Sequence, residues 1–206
     1  MNNIILYLIG FSAQLLFSSR LIIQWFYSEK ENKIITPSVF WILSLLGSFL
    51  LFIYGYLRDD FAIMLGQSLT YFIYIRNLQL QGEWSKLNFF IRFLFLTFPV
   101  YIIFYYYNNN VIDLDILIRE TNIPSWLFSL GITSQLIFTF RFIFQWIYSE
   151  NKKESSLPLG FWLLSISGSI LILIYAIFRL DPVLFIGHII GTIIYARNIY
   201  IYFKFN

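Results

Sequence analysis

Cysteine is absent from this 206-residue chain, and histidine occurs only at position 188. The first absence excludes disulfides, thiol nucleophiles and Cys-rich metal sites, and a single histidine leaves little for zinc coordination, so we expect no metal and no cofactor. Charged residues are also scarce, at 12%, against 59% hydrophobic residues. This balance predicts an integral membrane protein rather than a soluble domain, and no basic tract indicates a nucleic-acid partner.

The chain contains an internal duplication with an offset of 121 residues. Between residues 10–81 and 131–202, 28 of 72 aligned positions are identical, and many of them are polar or small rather than generic apolar residues. The segment Arg-x3-Gln-Trp-x-Tyr-Ser-Glu, for example, occurs at 20–29 and again at 141–150. Two copies that mutate independently retain the same polar residues only when both copies fold in the same way and use those residues similarly. The two halves therefore serve as an internal alignment.

Seven apolar segments are long enough to cross a bilayer, which takes about 20 residues. Three spans in each repeat would leave the copies upside down relative to each other, and one additional span restores the same orientation. The sequence therefore predicts an all-α integral membrane protein with two parallel three-helix repeats and a linker helix, at 1–82, 125–206 and 83–124 respectively. The predicted spans are 4–28, 37–57, 61–81, 87–107, 125–149, 158–178 and 182–202.

Basic residues are distributed unequally between the two ends of these spans. Eleven of the 14 Lys and Arg residues fall on or near one face, and only Arg58, Arg119 and Arg179 fall on the other. The long loop on that second face also carries Asp113 and Asp115. Because basic residues favour the cytoplasmic side, we expect a multi-pass protein of the bacterial inner membrane with its N-terminus outside and its C-terminus in the cytoplasm.

Two arginines lie deep within predicted spans. Arg20 and Arg141 precede the cytoplasmic ends of their spans by roughly 12 to 14 Å at 1.5 Å per residue. A guanidinium at that depth faces a bundle interior or a cavity, or else snorkels to the interface. The glutamines one turn later share its helix face. The Arg-Asn pairs that end spans three and seven either add a second guanidinium fork for phosphate or pyrophosphate, or are positive-inside anchors. The predicted substrate-binding residues are Arg20, Gln24, Arg141, Gln145, Arg76, Asn77, Arg197 and Asn198.

Other recurring polar residues are candidates for a cavity or a gate. Glu29 and Glu150 end the repeated segment, where they either pair with Arg76 and Arg197, receive a proton, or are solvated in a mixed-charge loop. At the outer face, helix caps with ion pairs explain the arginine and aspartate residues, and a gate is the functional alternative. Gln67 stands where the second copy has His188, which argues against obligatory proton transfer or metal ligation. The candidate cavity or gate residues are Gln67, His188, Tyr74, Tyr195, Glu29, Glu150, Arg58, Asp60, Arg179 and Asp181.

The polar pattern of both repeats resembles that of a known family. It reads Arg-x3-Gln-Trp-x-Tyr-Ser-Glu, Pro-x2-Phe-Trp-x-Leu-Ser-x2-Gly-Ser, Tyr-x3-Arg-x-Asp, Gly-Gln/His and Tyr-x-Arg-Asn. This pattern is similar to the lipid-A biosynthesis N-terminal domain family, which is in turn similar to the SWEET, semi-SWEET and PQ-loop group of three-helix units. The resemblance covers about 145 residues and leaves out the linker span and the acidic loop. It implies a SWEET-like fold and a role near lipid-A-disaccharide synthase.

Three functions follow from the duplication, the buried arginines and the resemblance. The first is a transporter or flippase for an anionic lipid or polyprenyl-phosphate-linked sugar, or for a lipid-A-related intermediate of cell-envelope glycolipid synthesis. The alternative is a non-catalytic accessory or anchoring subunit for a glycosyltransferase partner. A SWEET-like sugar transporter is a second alternative, although neutral sugars do not require buried arginines. We expect no catalytic residues, because no nucleophile and base motif or carboxylate pair occurs and the loops are too short for a nucleotide-sugar domain.

Overall fold

The fold is described by a computed structural model over residues 3–57, 61–108, 124–180 and 182–205. All regular secondary structure in these ranges is helical, so the predicted all-α class is confirmed. The helix ends differ from the predicted spans by three residues at most. The α-helices are α1 (Asn3–Glu31), α2 (Ser38–Leu57), α3 (Phe61–Leu80), α4 (Phe89–Asn108), α5 (Ser125–Lys152), α6 (Leu159–Arg179) and α7 (Pro182–Phe205), and a 3₁₀-helix (Trp84–Lys86) precedes α4.

Two of these helices are long and apolar enough to cross a membrane. They are α5 and the segment Leu159–Phe178 of α6. Shorter apolar stretches occur in α2 and α4, at Ser38–Tyr54 and Phe89–Tyr101. Membrane association is thus supported by length and composition, and the crossing of the bilayer by all seven helices stays a prediction.

Each repeat forms its own three-helix unit. In the first unit α2 packs along both α1 and α3, and in the second unit α6 packs along both α5 and α7. The two units meet through α1 with α7 and through α3 with α5. Each contact therefore joins the first helix of one repeat to the third helix of the other, as an approximate two-fold axis between parallel repeats requires.

The linker helix α4 packs against the first repeat through aromatic rings. The centroid of Phe95 lies 5.3 Å from that of Phe49, and that of Phe98 lies 4.8 Å from Phe49 and 5.9 Å from Phe52. Tyr71 on α3 adds a tilted contact with Phe95 at 6.3 Å. Offset and edge-on ring pairs contribute about 0.5–1.5 kcal/mol each in addition to the burial of apolar surface, so these contacts stabilise the packing of α4 against the first repeat.

The repeated Tyr-Ser-Glu segment ends α1 and α5 in the same way. Asn32 and Lys153 follow as left-handed residues, with φ of 52° and 55°, which turns the chain out of the helix. The loop then folds back, so that the Ile35 amide donates to Ser28 Oγ at 3.0 Å and the Ser156 amide donates to Ser149 Oγ at 3.2 Å. Both loops therefore lie against the helix they follow, beside the side chains described next.

Candidate functional site

Arg20 and Arg141 lie inside the bundle, on α1 and α5. Their exposed fractions are 5% and 4%. Arg20 Nη1 donates to Ser44 Oγ at 2.7 Å and to Tyr74 Oη at 3.4 Å. The second copy repeats this arrangement, since Arg141 Nη1 donates to the hydroxyls of its own repeat, Ser165 at 3.5 Å and Tyr195 at 3.1 Å. Of the two positions that the sequence left open, the burial of both side chains corresponds to the bundle interior.

The two guanidinium groups lie close to the same aromatic ring. The Phe142 centroid lies 5.5 Å from Arg20 Cζ and 4.6 Å from Arg141 Cζ, so the two carbons are no farther apart than the sum of these distances. At that upper limit of about 10 Å, two like charges repel by roughly 1.7 kcal/mol at an effective dielectric constant of about 20, and they repel more strongly at any shorter distance. The ring faces attract both cations, which offsets part of this repulsion.

Neither guanidinium has an acidic partner within the described ranges. Every hydrogen bond that Arg20 and Arg141 donate there ends on a neutral hydroxyl oxygen. In addition, Nε of each arginine is buried and has no hydrogen-bond partner. A buried charge that lacks both a counter-charge and a full set of hydrogen bonds is costly, so this pair is electrostatically suited to a bound anion.

A cavity of about 290 Å³ opens beside both arginines. Most of its lining consists of copy-related pairs, such as Gln14 with Gln135 and Ser18 with Thr139, so the cavity lies on the approximate two-fold axis. Gln67 and His188 also line the cavity from equivalent positions, although the residue type differs between the repeats. The remaining lining residues are Phe17, Arg20, Leu21, Thr70, Tyr74, Phe138, Arg141, Phe142 and Tyr195.

Gln67 and His188 are each tied to a serine on the middle helix of their repeat. Ser48 Oγ donates to Gln67 Oε1 at 3.0 Å, and Ser169 Oγ lies 3.0 Å from His188 Nδ1. The His188 ring also packs edge-on against Phe138 at 4.9 Å. Both side chains are thus held in place at the cavity wall, as hydrogen-bond partners.

A layer of buried amides lies beyond the arginines, toward the C-terminal ends of α1 and α5. Gln24 Nε2 donates to Asn198 Oδ1 at 2.9 Å, and Asn198 Nδ2 donates back to Gln24 Oε1 at 3.2 Å. Gln145 and Asn77 form the same reciprocal pair at 2.8 and 3.1 Å. All four side chains are fully buried, with exposed fractions of 0%. Each pair joins the two repeats, so the amide layer closes the bundle at this level.

An outer layer of ion pairs follows the amide layer. Glu150 accepts two hydrogen bonds from Arg76, at 2.8 and 2.7 Å, and Glu29 accepts two from Arg197. The pairing again joins one repeat to the other. The Arg76 guanidinium, followed by Lys153, lowers the pKa of Glu150 to about 2, and the Arg197 guanidinium lowers the pKa of Glu29. Both glutamates are therefore ionised at neutral pH.

The predicted substrate-binding residues thus occupy three levels. Arg20 and Arg141 line the cavity, the two glutamines and two asparagines form the amide layer, and Arg76 and Arg197 belong to the ion-pair layer. The outer-face candidates Arg58, Asp60 and Asp181 lie outside the described residues, and the Arg179 side chain is likewise not described.

Some site residues were missed by the reasoning from sequence. Ser44 and Ser165 recur in the aligned Leu-Ser pairs, so the duplication carried the signal for them. Phe142 stands where the first repeat has Leu21, and a position that differs between copies gives no such signal. Among the residues that the structure describes, no cluster of His, Asp or Glu could hold a metal ion.

Comparison with known proteins places both repeats in one family. The model of the Lipid A Biosynthesis N-terminal domain family matches residues 9–79 and 130–200. Proteins named lipid-A-disaccharide synthase are similar to the chain: that of Chlamydia felis (strain Fe/C-56) is 34% identical and that of Chlamydia pneumoniae 29%, each over 97% of this chain. The aligned part is only 33% and 34% of those relatives, so the chain spans about one third of their length. No solved structure matches. Because the family model covers more than half of the chain in two copies, the chain belongs to the Lipid A Biosynthesis N-terminal domain family.

Proposed function

We propose that this chain is a non-catalytic membrane protein that binds an anionic lipid-linked sugar or a lipid-A-related intermediate and moves its headgroup between the leaflets. The observation that carries the proposal is the pair Arg20 and Arg141, buried beside one cavity without a carboxylate partner in the described part of the chain. Guanidinium groups bind phosphate oxygens through paired N–H donors, and here each retains an unpaired Nε.

The proposed setting is the bacterial inner membrane, crossed seven times in a SWEET-like arrangement with the N-terminus outside. Large apolar side chains on the outer surface support it, including Phe90 at 77%, Phe93 at 58% and Phe203 at 70% exposure. So much exposed aromatic surface would favour aggregation in water but suits contact with lipid. The amide and ion-pair layers then lie toward the cytoplasm, by the positive-inside rule.

Movement of the headgroup would require the two repeats to rock against each other around the cavity. In the amide and ion-pair layers, at the end that we assign to the cytoplasm, four side-chain pairs join one repeat to the other. The amide pairs link α1 to α7 and α5 to α3, and the ion pairs link the same helices. A single rocking movement would therefore break all four pairs together and expose Arg20 and Arg141 to the cytoplasm.

Proteoliposomes test this proposal directly. The probes are a polyprenyl-phosphate hexose and a phosphorylated lipid-A precursor, each labelled so that a membrane-impermeant reagent reports the leaflet it occupies. We expect wild-type protein to equilibrate at least one probe between leaflets, and Arg20→Gln or Arg141→Gln to slow this movement. Arg92→Gln on α4, outside the cavity, is the matched control and should move the probe at the wild-type rate. Binding of the probes without any movement would count against transport.

A second function is favoured by the relatives. They are named lipid-A-disaccharide synthase, and the chain aligns with about one third of their length. A domain that occurs within a synthase suits a membrane subunit that presents lipid to a glycosyltransferase. The same arginines would then dock the headgroup without translocating it.

Partner association separates this second function from transport. Alanine at both Arg20 and Arg141 should abolish lipid binding yet leave association with an identified glycosyltransferase of the same membrane intact. Loss of the complex when the loop at residues 32–37 or 153–158 is replaced would support the accessory role. If no glycosyltransferase copurifies while the lipid probes are moved, the accessory role is wrong.

A further inference from the structure

Arg20 and Arg141 place two positive charges in one cavity. Arg20 and Arg141 approach the same Phe142 ring, at 5.5 and 4.6 Å from its centroid. They line one cavity of about 290 Å³ on the approximate two-fold axis. A headgroup on this axis meets one guanidinium from each repeat.

At neutral pH the other polar groups of the cavity add no charge of either sign. The side chains that hold the two guanidinium groups are hydroxyls, those of Ser44 and Tyr74 and their copies. Glutamine, serine and threonine complete the polar lining, with His188 engaged by Ser169. Within the described residues, the charge of the site is thus set by the two arginines alone.

Phosphate headgroups differ in the charge they bring. A phosphate monoester carries about −1.5 to −2 at pH 7 because its second pKa is about 6. A diphosphate linking a lipid to a sugar carries two charges on adjacent phosphates, whereas a phosphodiester, the form found in bulk membrane phospholipids, carries one. Only the first two neutralise a pair of guanidinium groups.

We infer that the cavity selects dianionic headgroups, a phosphate monoester or a diphosphate, held by Arg20 and Arg141 at once, and discriminates against the phosphodiesters of bulk phospholipid. This inference rests on the proposed function and adds the charge of its substrate. It explains how such a site stays available in a membrane where singly charged phosphodiesters are in large excess. Both arginines are needed for the selection, because removing one leaves a site with the charge that a phosphodiester matches.

Native mass spectrometry of the detergent-solubilised protein tests the inference with two lipids of identical acyl chains. Dioleoyl phosphatidic acid is a phosphate monoester, and dioleoyl phosphatidylglycerol is a phosphodiester. At pH 7.5 and equal concentrations, we expect wild-type protein to prefer phosphatidic acid by about tenfold or more, the usual effect of one additional charge-assisted hydrogen bond. A wild-type preference below twofold would overturn the inference.

Variants show whether both arginines act on one ligand. Arg20→Gln and Arg141→Gln should each reduce the preference to near unity, while Arg20→Lys, which keeps the charge, should retain part of it. Arg92→Gln is the control and should bind like wild type. Full preference in either glutamine variant would mean that one arginine suffices, contrary to the inference. If a glutamine variant is unfolded, the lysine variant and the wild-type pH series below still decide.

The charge of the ligand can also be changed without touching the protein. Lowering the pH from 8 to 5 removes the second charge of phosphatidic acid, so the preference should fall across pH 6 while phosphatidylglycerol binding stays constant. A preference that is independent of pH would contradict the inference. Glycerol 3-phosphate, the same headgroup without acyl chains, identifies the source: we expect it to compete only at much higher concentration, and equal competition would assign the site to a soluble phosphate ester instead of a lipid.

The outcome of the selectivity test can be distinguished from a failure of the proposed transport function. Selectivity for phosphatidic acid without movement of any lipid would leave the inference standing and favour the accessory role. Movement of lipid without selectivity would support transport and reject the inference.

Discussion

The substitutions Gln24→Leu and Asn198→Leu, made singly and together, test whether reciprocal hydrogen bonds between amide side chains join the two repeats. The two side chains exchange hydrogen bonds at 2.9 and 3.2 Å and are fully buried. Each single substitution leaves a buried amide without its partner, which costs about 1–3 kcal/mol. The double substitution removes both amides, so we expect it to cost less than the sum of the single ones. Interhelical hydrogen bonds in a membrane protein couple by about 0.6 kcal/mol on average, so two reciprocal bonds should couple by about 1–2 kcal/mol.

The assay is a double-mutant cycle on reversible unfolding in mixed micelles, with four chains measured under identical conditions. The duplication supplies a matched control. Asn77 is the equivalent asparagine of the same repeat as Gln24, and it belongs to a separate hydrogen-bond network with Gln145 and Ser155. The Gln24 and Asn77 cycle should therefore couple by less than about 0.5 kcal/mol.

The comparison of the two cycles gives a clear outcome. Stronger coupling of Gln24 to Asn198 than to Asn77 supports pairing between the repeats. Stronger coupling to Asn77 would mean that each repeat closes on itself, and it would refute the arrangement in which rocking breaks the amide layer.

Three further predictions follow from the same arrangement. Because the chain has no natural cysteine, the double variant Glu29→Cys, Arg197→Cys can be cross-linked with a bis-methanethiosulfonate reagent that spans the distance left by the two long side chains. The cross-link should stop lipid movement in proteoliposomes and reductant should restore it, whereas lipid movement by either single-cysteine variant should not respond to the reagent. The pKa of Glu150 is lowered from 4.5 to about 2, so its ion pair stabilises the fold fully above pH 4.5, and this stabilisation is lost as the pH falls toward 2. The difference in melting temperature between wild type and Glu150→Gln should therefore be constant from pH 8 to 5.5 and shrink below pH 4.5. Gly168→Ala should lower the unfolding free energy by about 1–3 kcal/mol, since the added Cβ would lie 3.0 Å from the Phe138 backbone. Gly47→Ala should lower it less, because the added Cβ there meets the side-chain ring of Phe17. Equal losses in unfolding free energy would contradict this reasoning.

Much of the fold could be predicted because the two repeats of the chain can be aligned with each other. Hydrophobic length gave the seven helices, and the turn residues between them gave ends within three residues of those observed. The recurrence of arginine at the equivalent positions 20 and 141 indicated a shared role, since an arginine that deep in a membrane helix is energetically costly.

The partners of the polar residues could be predicted only in part. Comparison of two copies shows which residues are equivalent, but it does not show whether Glu29 pairs with Arg76 of its own repeat or with Arg197 of the other. That choice depends on how the two three-helix units pack against each other, which a comparison of the two copies does not show. The same limit applied to Phe142, whose ring lies near both guanidinium groups because of packing and stands where the first repeat has Leu21.

The most direct test is to identify and count the phosphorylated lipid that stays with the protein through purification from its own membrane. For wild type we expect close to one equivalent of an anionic lipid with a phosphate monoester or diphosphate headgroup, enriched over the bulk membrane. The folded double variant Arg20→Gln, Arg141→Gln should lose this lipid, and the control Arg92→Gln should keep it. Unchanged lipid in the double variant, or a wild-type protein that carries only bulk phospholipid, would contradict a site built on these two arginines.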